Sequence, residues 1–97
     1  MKGEVHFVYI VRCTDGTLYT GYALDPDERV KVHNSGRGAH YTASRRPVRL
    51  VYREAFETKS AALKREHQLK RWTRARKQTL IATGIAAPHM RSSAVGP

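Results

Sequence analysis

Acidic residues are scarce in this chain of 97 residues: eight Asp and Glu stand against eighteen Lys and Arg, a formal charge of +10. With a pI of about 10.4, a polyanion is favoured as partner through counterion release and electrostatic steering. Nucleic acid is the first candidate partner, and charge alone does not separate DNA from RNA. Cysteine is nearly absent. The single Cys13 rules out an internal disulfide and a Cys-based zinc site, and it reads as a small strand residue. No apolar run approaches the roughly 18 residues of a membrane span, and "MKGEVHF" lacks the apolar stretch of a secretion signal. The basic segments also lack the Trp/Phe/Leu-rich face of an interfacial helix. The expectation is a cytoplasmic protein with no membrane partner. Internal repeats and a second domain are missing as well, and the 40% apolar share suits one small globular domain.

What is present is well patterned. "VHFVYIVRC" (5–13) is rich in β-branched and aromatic residues and almost continuously apolar, as a strand buried on both faces requires. "TDG" supplies turn chemistry and "TLYTGYA" returns as a second strand. A two-residue Asp15-Gly16 turn would pair Tyr9 with Tyr22 and put Tyr9 and Tyr19 on opposite faces. A three-residue loop, Thr14-Asp15-Gly16 with Gly16 left-handed, pairs Val11 with Tyr19 and Tyr9 with Gly21. Both phenols then share a face, with room beside Gly21, and this second register is the one expected.

"DPDERVKVHN" reads as a short helix with Asp25 as N-cap, Pro26 in the first position and Glu28 closing a capping box. It sets Arg29 and His33 one turn apart on one face. "SGRGAHYTASRRP" (35–47) reads as a loop, "VRLVYREAF" as a third strand. Helices follow over about Ser60–Trp72 and Arg74–Thr83. The expected unit is residues 1–84, with 85–97 as a flexible tail carrying His89. Trp72, beside Leu69, reads as a core anchor.

Between Lys59 and Lys77, eight residues are basic and one, Glu66, is acidic. Leu63 and Leu69 flank it at three residues, Ala62 and Lys70 at four, which sets Glu66 on the stripe facing the sheet. A carboxylate on that side needs a cation: a Lys or Arg salt bridge, or a divalent metal beside a phosphate.

These residues together resemble the GIY-YIG nuclease domain. The resemblance rests on "VYI", "YTG" ten residues on, Arg29 with "HN" four residues later, and Glu66 in "ALKREHQLK", and it runs from about Val5 to Ile81. The middle, "YTG…R…HNSGRGAHYT…RRPVRLVY", is most similar to short single-domain bacterial members. More distant members include excision-repair incision domains, homing endonucleases and branched-DNA nucleases. The resemblance implies an α+β fold, a three-stranded antiparallel sheet flanked by helices in the order β-β-α-β-α-α.

It also implies roles. Tyr9 would hydrogen-bond to and help activate the attacking water. Tyr19 would orient that water or the scissile phosphate, and Arg29 would stabilise phosphoryl oxygens. Glu66 would bind one Mg²⁺ or Mn²⁺ on the leaving-group side, and His33 would be an auxiliary acid/base or phosphate contact. The chain departs from the pattern at Tyr22 and Ala23, where many members carry lysine or a small hydroxyl residue. It departs again near Gln78, where some carry asparagine. A phenol of ordinary pKa near 10 is a poor base at pH 7, so Tyr9 needs neighbouring cations to lower it.

The nucleic-acid contacts expected are Arg37, His40, Tyr41, Arg45, Arg46 and Lys70. The basic loop would track phosphates, with Tyr41 available to stack on an unpaired base. His40, His67 and His89 show no metal-ligand spacing with one another. The function implied is a metal-dependent DNA endonuclease, selective for branched, flapped or single-stranded structure and serving repair or recombination. The competing class is a non-catalytic DNA- or RNA-binding protein on the same scaffold. An unidentified protein partner is compatible with either.

Overall fold

A computed structural model describes residues 3–84; the expected tail and His89 lie outside the described residues. Strands β1 (His6–Arg12), β2 (Leu18–Ala23) and β3 (Arg49–Phe56) form one antiparallel sheet in the order β2-β1-β3. The most apolar strand is thus central, with partners on both edges and cover on both faces. Tyr9 and Val11 join Cys13, Ala23 and Val48 in a core layer with Val30 on one side. On the other side Val8 and Ile10 pack against Ala62, Leu69, Tyr52 and Ile81. Val8, Ile10 and Val11 are fully buried, each worth about 1.5–3 kcal/mol of transfer free energy. Cys13 closes the end of β1 as a buried small residue.

The hairpin adopts the expected register, Val11 opposite Tyr19 and Tyr9 opposite Gly21. Gly16 has φ +85°, the left-handed conformation that glycine enters without steric cost. Asp15 Oδ1 accepts from both the backbone N–H and the hydroxyl of Thr17, at 3.0 and 2.6 Å, which fixes the turn.

Helix α1 (Pro26–Asn34) starts as its punctuation dictates: Asp25 Oδ1 accepts from the Glu28 N–H at 3.1 Å, and Pro26 is the first helical residue. The Glu28 carboxylate, rather than reaching back to the cap, lies 3.7 Å from Lys31 Nζ. At the other end the Asn34 side chain pairs with the backbone of Val48, donating to its carbonyl at 3.1 Å and accepting its N–H at 2.7 Å. That amide bridge ties α1 to the start of β3.

The segment expected as a loop contains a further helix, α2 (His40–Ala43), so the order is β-β-α-α-β-α-α. One turn is far below the length at which a helix is stable by propensity, which is why the sequence does not announce it. Tertiary contact holds it, chiefly Thr42, fully buried against α1. Helices α3 (Lys59–Lys70) and α4 (Arg74–Gly84) follow, with Thr58 and Thr73 hydroxyls capping their first N–H groups at 3.1 and 3.2 Å.

One expectation about α3 is corrected. Leu63 is 40% exposed, not on the buried stripe, which is built from Ala62 and Leu69, seven residues apart, with Glu66 between them. Under that stripe Arg65 makes a two-pronged bond to Glu54, 2.8 and 3.2 Å, while Tyr52 donates to the same carboxylate at 2.5 Å. Burial and the adjoining carboxylate push the Tyr52 phenol well above its usual range. Trp72 anchors the α3–α4 junction against Val8 and Leu69, with the Arg76 guanidinium 4.0 Å over its ring.

Candidate active site

Tyr9 is 1% exposed, on the sheet face that α1 covers. Only glycine fits across from it: a Cβ at Gly21 would stand 2.5 Å from the Tyr9 hydroxyl oxygen. That oxygen lies 2.9 Å from His33 Nε2. His33 is 2% exposed and is held from behind, with Nδ1 2.8 Å from Thr42 Oγ1. The Thr42 hydroxyl also lies 2.9 Å from the Ala39 carbonyl, and the Ala39 N–H points at Nδ1 from 3.4 Å. Which of Nε2 and the Tyr9 hydroxyl donates follows the tautomer of the ring.

Burial, then the nearby Arg29 charge, lower the His33 pKa below the usual 6.5, so the ring is neutral at pH 7. Burial, the Tyr19 phenol and the Glu66 carboxylate raise Tyr9, and Arg29 opposes them; the net result is a shift up to about 12. The expected lowering by cations is thus corrected: desolvation outweighs Arg29, and Tyr9 does not ionise near neutral pH. The same influences show that Tyr19, Arg29 and Glu66 all lie close enough to act on one hydroxyl. Five side chains from β1, β2, α1 and α3 converge.

Tyr19 packs edge-on against His33, centroids 5.4 Å apart, and stacks at 5.9 Å on Tyr41. Lys70 Nζ is 5.6 Å above its ring and 3.3 Å from Glu66 Oε2, one turn back on α3. Both readings of Glu66 are thus still represented, since its partner in this structure is a lysine at the mouth of the phenol cluster. Glu66 is 19% exposed at its side chain. No group of three His, Cys, Asp or Glu that could hold a metal occurs among the described residues. A single carboxylate nonetheless fits Mg²⁺, which keeps several waters and binds through one or two carboxylates plus substrate phosphate.

The basic loop divides into two kinds of residue. Arg37 and His40 are exposed beside the cluster, free to meet an anion. Arg45 and Arg46 also brace the loop. Arg45 donates to the Tyr41 carbonyl at 2.8 Å and to Asp15 at 3.2 Å, and Arg46 donates to the Ala43 carbonyl at 2.7 Å. The Arg45 guanidinium also lies 4.0 Å over Tyr41, so a base stacking on Tyr41 competes with an arginine already there. Tyr22 faces the opposite side of the sheet, with its hydroxyl 2.8 Å from His6 Nδ1.

Two residues near the candidate site escape sequence reasoning. Thr42 orients His33, and its signal, a hydroxyl in a Gly- and Arg-rich loop, is indistinguishable from turn chemistry. Lys77 on α4 is 9% exposed with a pKa lowered by burial and by Lys70, which places a second ammonium near the first.

A small α+β domain that converges two tyrosines, a helix arginine, a histidine and a lone glutamate has the constitution of a phosphoryl-transfer site. Residues 5–79 match the GIY-YIG catalytic domain, and the chain belongs to the GIY-YIG family. A UPF0213 protein of Staphylococcus aureus (strain Mu3) is 63% identical over 78 residues, covering 80% of this chain and 95% of that protein. The solution structure of a UPF0213 protein from Bacillus halodurans is similar at 46% identity and TM-score 0.53, over 80% of this chain and 83% of that one. A second solution structure, of an E. faecalis protein, is similar at 40% identity and TM-score 0.61, over 96% and 100%. Among the described residues no helix is long and apolar enough to cross a membrane.

Proposed function

We propose that this domain is a metal-dependent endonuclease that hydrolyses phosphodiester bonds in DNA. The observation that carries the reading is the Tyr9–His33–Thr42 chain of hydrogen bonds, aimed from a neutral imidazole toward a hydroxyl ringed by Tyr19, Arg29 and Glu66. A phenol of pKa about 12 cannot be a standing base at neutral pH, but it can pass a proton on. With His33 in the tautomer that leaves Nε2 unprotonated, Tyr9 gives its own proton to Nε2 as it accepts one from the attacking water, and no free phenolate accumulates. The hydroxide attacks phosphorus and the bond to the leaving oxygen breaks. Arg29 meets the charge that grows on the equatorial oxygens, while Tyr19 orients the water or the phosphate. Glu66 would hold one Mg²⁺ or Mn²⁺, whose Lewis acidity serves the leaving oxygen. Arg37, His40 and Lys70 would contact flanking phosphates.

The reading extends to recognition of DNA structure, namely branches, flaps or single strands, as in repair or recombination. Cleavage of labelled branched, flapped, single-stranded and duplex DNA with Mg²⁺ or Mn²⁺ tests the reading, with Glu66→Ala alongside. Metal-dependent nicking that the substitution abolishes is expected. Salt-sensitive binding with every DNA left intact would instead establish a binding protein on a nuclease scaffold.

A further inference from the structure

Glu66 is a lone carboxylate among cations. Lys70 Nζ sits 3.3 Å from its oxygen, Arg29 acts on the same Tyr9 hydroxyl as Glu66 does, and the largely buried Lys77 lies within reach of the Lys70 charge. Among the described residues no group of three His, Cys, Asp or Glu gathers into a cation site. A divalent ion reaching the Glu66 carboxylate in the free protein must therefore compete with the ammonium already paired to it and then remain beside that charge.

Lys70 has somewhere to go. It is 48% exposed at its side chain and its ammonium already stands 5.6 Å over the Tyr19 ring, so rotation about its flexible stem carries the charge from Glu66 toward the phosphate position beside Tyr19. A bound phosphodiester would give the ammonium an alternative partner and would itself ligate the ion.

From this we infer that Lys70 is an exchangeable counter-ion of Glu66, which keeps the divalent ion out of the free protein and couples its uptake to nucleic-acid phosphate. The inference rests on the reading of Glu66 as the metal ligand. Coupling of this kind is reciprocal: DNA tightens the ion by the factor by which the ion tightens DNA at that site.

The test is Mn²⁺ binding followed by electron paramagnetic resonance or calorimetry, on free protein and with a hydrolysis-resistant phosphorothioate oligodeoxynucleotide. Glu66→Gln supplies the background, Lys70→Met removes the counter-ion, and Lys70→Arg retains its charge. In free protein, Lys70→Met should bind Mn²⁺ at least about fivefold more tightly than wild type, the lower end of ordinary coupling. Lys70→Arg should stay near wild type, and the tightening by oligonucleotide should shrink in Lys70→Met. Equal or weaker binding by Lys70→Met, with Glu66→Gln lower than wild type, overturns the counter-ion role and leaves Glu66 as ligand. Wild type and Glu66→Gln binding alike would overturn the metal-ligand reading and this inference with it.

Discussion

Tyr9 joins the hydrophobic core to the candidate site: its ring packs in the sheet layer while its hydroxyl hydrogen-bonds to His33 Nε2. Tyr9→Phe keeps the ring and leaves the buried imidazole nitrogen without its partner, which should cost about 1–3 kcal/mol in urea unfolding and lower cleavage by about 10²-fold or more. Gly21→Ala drives a Cβ into the Tyr9 hydroxyl; overpacking of about 1–3 kcal/mol is expected, with loss of cleavage through displacement of the phenol. The pH response follows from His33, whose pKa the fold lowers. Below pH 6.5 the unfolded chain takes up a proton that the folded ring refuses, so stability should fall as pH drops from 6.5 toward the folded value. Urea unfolding at pH 7.5 and pH 5 should show that loss in wild type and a smaller one in His33→Gln. For Tyr9 the sign is reversed in range: its contribution is complete below pH 10 and disappears as pH rises toward 12.

At the level of elements, the site depends on helices placed by contacts outside it. Asp25 starts α1, which carries both Arg29 and His33; Asp25→Ala should cost about 1 kcal/mol and reduce cleavage through looser positioning. Arg65 holds α3 to β3 through the buried Glu54, 22% and 10% exposed at their side chains. Arg65→Met leaves that carboxylate without its cation, an expected loss of about 3–5 kcal/mol readable as a lower midpoint in urea. Strands, caps and three longer helices were legible from periodicity and punctuation, because those signals are local. Helix α2 was not, since a single turn carries no periodic signal and its Thr42 side chain is ordered by His33. Leu63 misled for a related reason: spacing names the possible faces of α3, but the sheet selects among them.

Across the whole molecule, a charge of +10 predicts DNA binding that weakens steeply with salt. The slope should distinguish free from committed cations. Arg37→Ala should reduce it by about one, whereas Arg46→Ala, whose guanidinium serves the Ala43 carbonyl, should change stability more than slope. Titrating salt in a fluorescence-anisotropy assay with labelled single-stranded DNA checks both.

By itself the chain determined the sheet, the hairpin register, the helix starts and the basic character, and it marked Tyr9, Tyr19, Arg29, His33 and Glu66 as the candidates. Each follows from side-chain period, turn chemistry, composition or motif. Only tertiary structure decided how those groups behave. Burial made Tyr9 a weaker acid by more than Arg29 could offset, and Thr42 came to hold the His33 ring from behind. Folding also bonded Arg45 and Arg46 to loop carbonyls and set Lys70 against Glu66. Desolvation and hydrogen-bond geometry depend on what surrounds an atom in space, and residues distant along the chain supply those surroundings.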